Sequence, residues 1–394
     1  MRILHTSDWH LGRSFHRVGL VEHQAAYVDH LIEVVAAEAM DLVVVSGDVF
    51  DRALPHVDAV RLADEALARL AASRARVVLT SGNHDSAQRL GFGARLFDAA
   101  GIHVRTDASS VGSPVLLEDD HGVVAVHGIP YLDPQALHEP WELTAPTHQA
   151  ALTEAMRRVR ADLAARPVRS VVLAHAFVAG GLPSDSERDI SVGGVSVVSS
   201  ELFAGISYSA LGHLHGRAVL GETVRYSGSP LAYSFSETTH TKGSWLVDLG
   251  PHGVCGTEFV EAPVPRGLST LTGELDSLLT DARFAPAEDH WVQATLTDPV
   301  RPDRPMERLR ARFPHALVLS FAPSGEPARS VVAEPPGART DHQVALDFVA
   351  AMRGAPASAE ESALLLEACD GCSADPDADV LVSALVSVAG GGTC

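Results

Sequence analysis

Along the first half of this chain, short unbroken apolar runs alternate with longer stretches in which apolar residues recur at helical spacing. Met1 to Leu4, Leu42 to Val45, Val77 to Leu79 and Val171 to Leu173 are brief and rich in branched side chains, which predicts strands buried on both faces. Asp58 to Ala72 and Gln149 to Ala165 carry the amphipathic spacing of helices that pack on a sheet. The pattern predicts an α/β fold. Each run gives way to glycine, asparagine, aspartate or histidine, and residues of that kind release a strand into a turn. Polar side chains are therefore expected at the carboxyl edge, where open α/β sheets bind ligands.

The second half changes character. Pro263-Val264-Pro265-Arg266-Gly267 interrupts the pattern and marks a boundary, with one domain expected over 1–262. Beyond it, Trp291 to Leu296 alternates like a half-buried strand, Met306 to Phe313 reads as a short helix, and Ala316 to Phe321 as a second strand. A polar, Pro- and Gly-rich stretch from Pro323 to Thr340 reads as a linker, so a small domain with its linker is expected over 263–337. The tail, 338–394, holds helical patterns at His342 to Met352 and Glu360 to Cys369, and a third apolar run from Val380 to Val388. Leu182 to Val198 has little periodicity and reads as a loop near the end of the His175 strand.

Five polar clusters stand at the predicted strand ends: Asp8-Trp9-His10, Gly47-Asp48, Gly82-Asn83-His84-Asp85, His175 and Gly212-His213-Leu214-His215. Residues two apart in an extended segment face the same side, so Asp8 and His10 are expected to grip one ion, and His213 with His215 repeats the arrangement. Asp48 follows a glycine and has two oxygens, enough to bridge two metals. Asn83 adds a neutral carbonyl oxygen. Hard oxygen with borderline imidazole suits manganese, iron or zinc better than calcium or an all-thiolate zinc site, with manganese the first choice. Taken singly, each cluster could be an ordinary turn and each histidine a satisfied core or surface residue. Their shared position behind strand-like runs points instead to a hydrolase centre holding two divalent metal ions. His16, His23, His30, His138 and His148 fall in helical or loop stretches and read as surface residues.

The order Asp-x-His, Gly-Asp, Gly-Asn-His-Asp, His, Gly-His-x-His is similar to that of the calcineurin-like metallophosphoesterases. Within that family, Gly47-Asp48-Val49-Phe50-Asp51, His127-Gly128-Ile129-Pro130-Tyr131, Ala210 to His215, Tyr226-Ser227-Gly228-Ser229-Pro230 and Ser234-Phe235-Ser236-Glu237 resemble the DNA-nuclease branch, over about the first 250 residues. The resemblance implies a two-sheet sandwich flanked by helices, a small α+β capping domain and a C-terminal helical tail. It implies one metal on Asp8, His10, Asp48 and His215, and a second on Asp48, Asn83, His175 and His213. It also implies that His84 faces the scissile phosphate and that Asp85 fixes its tautomer. DNA as substrate, a homodimer within a heterotetramer, and an SbcC-like ATPase gripped by the tail follow from the same resemblance. Some archaeal and eukaryotic relatives carry a second non-ligand histidine three residues after the bridging aspartate. Here that position is Asp51, expected to support the site or cap a helix. The 182–198 loop is expected to contact substrate or only to pack, and Ser227 to Ser229 to touch phosphate or only to turn.

Composition adjusts this picture at three points. A chain of 394 residues, 46% of them hydrophobic, can fill two or three domains, which leaves disorder out. No run approaches the ~20 apolar residues of a membrane helix and no basic signal region precedes the first strand, so a cytosolic protein is expected. Four cysteines make no disulfide framework there, and Cys369-x-x-Cys372 is half a zinc site without a second pair. A net charge of −20 has the wrong sign for holding a polyanion, an argument for a partner that supplies the grip. Lys242 is the only lysine, which reads as genomic base composition. Two other readings stay open: a stand-alone metallophosphoesterase acting on nucleotides or phosphoproteins, and a metal-binding scaffold that does not cut.

Overall fold

The computed structural model describes residues 1–188, 190, 197–324 and 340–373. Four parallel strands, Arg2–Thr6, Leu42–Ser46, Arg76–Thr80 and Ile102–Arg105, form most of a six-stranded sheet. Gly243–Gly250 and Gly253–Glu261 extend it antiparallel beyond Arg2–Thr6. A second six-stranded sheet has parallel strands Gly122–Ile129, Arg169–His175, Tyr208–Gly212 and Val224–Tyr226, with Val115–Asp119 and Ala218–Val219 as antiparallel edges.

Side-chain alternation explains why the apolar runs are unbroken. Ile3, Leu42, Val44 and Val78 point into the space between the sheets, where they meet Val124, Val126, Val171 and Leu173. Leu4, Val43, Val45, Val77 and Leu79 point the other way, onto the helices Val21–Ala37 and Val57–Ala71. Val172 and Ala174 face the helix His148–Ala165. Each buried branched side chain contributes about 1.5–3 kcal/mol, so both faces of every central strand are specified. Ile3 pairs with Leu42, Leu42 with Arg76, and Gly212 with His175. Strand ends from distant parts of the chain thereby line up on one rim.

Met1–Ser324 is one compact unit. Within it, Leu268–Gly273, Trp291–Leu296 and Ala316–Phe321 make a three-stranded, all-parallel sheet with the helices Leu275–Thr280 and Pro305–Arg312. Leu278, Val292, Ala294, Leu309 and Phe313 fill its own small core. The strand Leu268–Gly273 is absent from the sequence expectation, because Leu-Ser-Thr-Leu-Thr-Gly offers too few apolar residues to stand out. Trp291 stacks on Phe15 with ring centroids 5.0 Å apart and joins Leu20, Leu231, Tyr233 and Phe235, fastening this subdomain to the larger body.

The second unit begins at Gly325, and its described part is a pair of helices, Asp341–Arg353 and Ala359–Ser373. Thr340 caps the first helix and Gly354, at φ 72°, ends it. Arg353 pairs with Glu361 at 2.7 Å, and His342 Nε2 lies 2.9 Å from the Ser362 carbonyl. Val344, Phe348 and Met352, one turn apart in succession, are exposed, as are Leu364 and Leu366. The run Val380 to Val388 and Cys394 lie outside the described residues. No helix among the described residues is long and apolar enough to cross a membrane.

Candidate metal centre

Five strands, those ending at Thr6, Ser46, Thr80, His175 and Gly212, bring the clusters to this rim, and three of them leave it in left-handed turns. Asp8, His10 and Asp48 have φ of 52°, 45° and 49°, and His213 has 106°. Non-glycine residues avoid this region, and each such turn costs of order 1–3 kcal/mol. The extended geometry expected for Asp8 with His10, and for His213 with His215, is therefore wrong: the side chains converge because the backbone folds back. Hydrogen bonds from the Asp8 amide to the Gly47 carbonyl (3.1 Å) and from the His10 amide to the Asp48 carbonyl (2.9 Å) lock the first two turns together. Glycine is required where the loops touch. A Cβ on Gly82 would lie 2.1 Å from Asp48 Oδ1, and one on Gly212 would lie 1.9 Å from the Ser46 carbonyl oxygen.

Seven side chains then face one another. His10 Nε2 and His215 Nε2 are 3.0 Å apart. Asn83 Oδ1 lies 2.9 Å from His175 Nε2 and 3.2 Å from His213 Nδ1. Asp48 Oδ2 is 3.5 Å from His10 Nε2 and 3.5 Å from His175 Nε2, so one oxygen reaches both groups. Asp8 accepts the His213 amide at 3.0 and 3.2 Å, which ties the two sheets together. His175 donates Nδ1–H to the Ser46 carbonyl at 2.9 Å, leaving its Nε2 lone pair for the centre.

Electrostatics suits a cation here. Asp8 and Asp48 are buried, and among the described residues the ion pairs they make are with histidines only. Burial, and then the Asp48 charge, push the Asp8 carboxyl well above its ordinary range. Burial, reinforced by neighbouring imidazoles, holds His10 and His213 well below theirs, so both rings are neutral with lone pairs available. Buried carboxylates among neutral imidazoles lack a countercharge, and divalent cations would supply it. Asp8, His10 and His215 bring ligand atoms within 4.8 Å of one another, as do Asp8, Asp48 and His175, and also His10, Asp48 and His84. Carboxylate, amide oxygen and imidazole are the donor types expected for two divalent ions sharing Asp48.

His84 lies beside this set, its ring centroid 4.6 Å from that of His10. Its amide donates to Asp48 Oδ1 at 2.9 Å, and its Nδ1 lies 2.8 Å from the Asp51 carbonyl. Nε2 is left as the uncommitted nitrogen of a ring that burial keeps below its usual pKa. Two expectations change as a result. Asp85 does not fix the His84 tautomer: its carboxylate accepts the amides of Val49, Phe50 and Gly82 at 3.1, 2.8 and 2.9 Å and braces two loops. Burial and the Asp48 charge push it up to about 7, against the pull of those amides. Asp51 orients His84 through its backbone, and it caps no helix, since the next helix starts after His56.

Further residues behave differently from their sequence reading. Ser227 Oγ is buried 2.8 Å from Ser7 Oγ, and Ser229 Oγ donates to the Leu231 carbonyl, so neither hydroxyl is turned to a phosphate. His148 is buried and lies 2.6 Å from the Ile190 carbonyl, not at the surface. Much of the described 182–198 loop is exposed, but Ser186 and Glu187 turn inward, where Glu187 accepts the His215 amide at 2.7 Å and Ser186 meets its ring. Arg188 on the same loop donates to the Asn83 carbonyl at 3.2 Å. Ser7 escaped the sequence reading, and Ser186 and Glu187 were legible only as part of a loop near the rim, because polar residues in irregular segments carry no periodic signal.

Residues 1–217 match the family described as "Calcineurin-like phosphoesterase". Similar solved structures include an archaeal phosphodiesterase, at 13% identity over 66% of this chain and 100% of that one, with a TM-score of 0.30. The protein TT1561 of Thermus thermophilus matches at 13% identity over 66% and 98%, with a TM-score of 0.40. The calcineurin-like phosphoesterase YfkN from Bacillus subtilis matches at 14% over 66% and 90%, with a TM-score of 0.36. These three likenesses are too slight to bear on function.

Proposed function

The chain belongs to the calcineurin-like phosphoesterase family, whose members use binuclear divalent metals, and from that premise we propose that it is a manganese-dependent DNA nuclease. The reading is that of an SbcD-type subunit, working in the cytoplasm as one of two copies with an SbcC-type ATPase. Its task would be to trim double-strand ends and open hairpins during repair, recombination and replication. The observation that carries it is the single Asp48 oxygen placed equally between an imidazole of each ligand set, beside a His84 with a free nitrogen.

Asp8, His10, Asp48 and His215 would hold one ion, and Asp48, Asn83, His175 and His213 the other. When bound, such a pair supplies Lewis acidity toward the phosphate and the attacking water. The Asp51 carbonyl keeps the His84 proton on Nδ1 while the ring is neutral. Once protonated, Nε2 can stabilise phosphate charge or protonate the departing 3′ oxygen. The Asp85 carboxylate holds the loops that carry Asp48 and His84 at fixed spacing. DNA rather than a small phosphate ester is favoured by the subdomain fastened beside the site through Trp291 and by the motif set around Ser234 to Glu237. The ATPase is favoured by the uncovered Val344, Phe348 and Met352 face and by a net charge that leaves the grip on DNA to another chain.

The test is hydrolysis of linear and hairpin DNA beside p-nitrophenyl phosphate, with and without Mn2+ and the ATPase. Manganese-dependent DNA cutting is expected, stimulated by the partner. Cleavage of the small ester alone would favour a stand-alone phosphoesterase, and no cleavage of either a scaffold. Removing residues 337–394 should abolish copurification with the ATPase while leaving manganese-dependent ester hydrolysis. Full-yield copurification of the shortened chain would refute the docking role.

A further inference from the structure

Two segments that the sequence singles out meet behind His215: the loop that begins at Leu182, and Ser234-Phe235-Ser236-Glu237. Ser186 Oγ lies 2.5 Å from His215 Nδ1 and 2.5 Å from Glu237 Oε1. The other Glu237 oxygen is paired with Lys242. All four side chains are buried. The Lys242 ammonium has three protons and three acceptors: Glu237, Ser229 Oγ at 3.0 Å and the His215 carbonyl at 2.8 Å.

Counting protons gives the chain a direction. The ionised Glu237 carboxylate, matched by Lys242, only accepts. Ser186 has one proton, and a neutral acceptor such as Ser184 Oγ, 3.0 Å away, cannot compete with a carboxylate at 2.5 Å. Ser186 therefore donates to Glu237 and meets His215 as an acceptor. The imidazole must then carry its proton on Nδ1, which leaves the lone pair on Nε2, the atom 3.0 Å from His10 Nε2.

We propose that Glu237, Ser186 and Lys242 are positioning residues that fix the tautomer and aim of His215 through a hydroxyl-relayed carboxylate–histidine chain. The proposal rests on the metal-centre reading above and adds what sets one of its ligands. Lys242 keeps Glu237 ionised and also grips the His215 carbonyl, so ring and backbone are held by one network. Groups in this position behind a metal-binding histidine typically change metal affinity 10- to 100-fold.

The test uses the full chain and two readouts. Imidazole 15N NMR of the metal-free protein should show His215 protonated on Nδ1 in the wild type and in Ser186→Thr, which keeps the hydroxyl. In Ser186→Ala and Glu237→Gln the signal should move toward the Nε2–H form. Mn2+ titration by calorimetry should show one of two sites weakened 10- to 100-fold in Ser186→Ala and restored in Ser186→Thr, with circular dichroism confirming the fold of each. A Ser186→Ala protein with the wild-type tautomer and wild-type affinity at both sites would overturn the proposal. A wild type that takes up no Mn2+ overturns the metal-centre reading instead, and the tautomer shift then decides the relay by itself.

Discussion

His84 and Asp48 share a loop contact yet do different work, and single substitutions should separate them. Asp48 joins both ligand groups through Oδ2, whereas His84 reaches the set only with its amide and one free ring nitrogen. His84→Gln is expected to keep both metals by elemental analysis and to lose about 10²–10⁴ in the rate of phosphate-ester hydrolysis. Asp48→Asn should lose metal and rate together. An active His84→Gln protein would remove His84 from the mechanism. At this scale the ligand types were legible because each except His175 sits beside glycine or another ligand in a short cluster, and His175 was marked only by the apolar run before it. The supports were not: Ser186 with Glu237, or Asp85 with the Val49 amide, are pairs formed between segments far apart in sequence. The left-handed turns at Asp8, His10, Asp48 and His213 were equally hidden, since a motif names residues and not their φ.

Strands and helices of the larger body were the most legible elements, because burial on two faces leaves an uninterrupted apolar run and an amphipathic helix leaves a period. The predicted helix Gln149 to Ala165 lies within one residue of the observed His148–Ala165. The edge strand Leu268–Gly273, half covered and rich in threonine and serine, left neither signal. Nor did any pattern foretell that Trp291 would stack on Phe15, which joins elements 276 residues apart by their numbering. Trp291 is 5% exposed and belongs to the cluster that fastens the small sheet to the body. Trp291→Ala is expected to cost about 3–5 kcal/mol in denaturant unfolding. It should also free the subdomain, seen as faster amide exchange along Leu268–Gly273. Unchanged exchange there would show that other contacts fasten the subdomain.

For the molecule as a whole, the ligand set is divided between the two sheets: Asp8, His10, Asp48 and Asn83 follow strands of one, and His175, His213 and His215 belong to the other. Metal should therefore clasp the sheets to each other. Chelation is expected to lower the melting temperature, by about 2.7 kcal/mol of stability for each site filled at a hundred times its Kd. A melting temperature indifferent to chelator would contradict this. Acid should act through buried neutral histidines, of which His5 lies outside the metal centre. His5 lies between the sheets with Nε2 donating to the Leu211 carbonyl at 3.1 Å and Nδ1 2.8 Å from the Tyr208 hydroxyl. Burial pulls it from 6.5 down to about 3. The unfolded chain thus binds the extra proton first, so this contribution is complete above pH 6.5 and drains away as pH falls toward 3. His5 alone should remove about 1.4 kcal/mol of stability per pH unit over that window, and His5→Gln should flatten the slope by that amount. An unaltered slope would assign acid sensitivity to other groups.

Lys242 has a consequence for how the native fold can be handled. It is the chain's sole lysine and its side chain is 7% exposed, so reagents and enzymes that acylate this side chain find no purchase on the folded surface. Acylation at that position, detected by mass spectrometry, would mark molecules whose interior has opened, making covalent labelling a low-background gauge of unfolding.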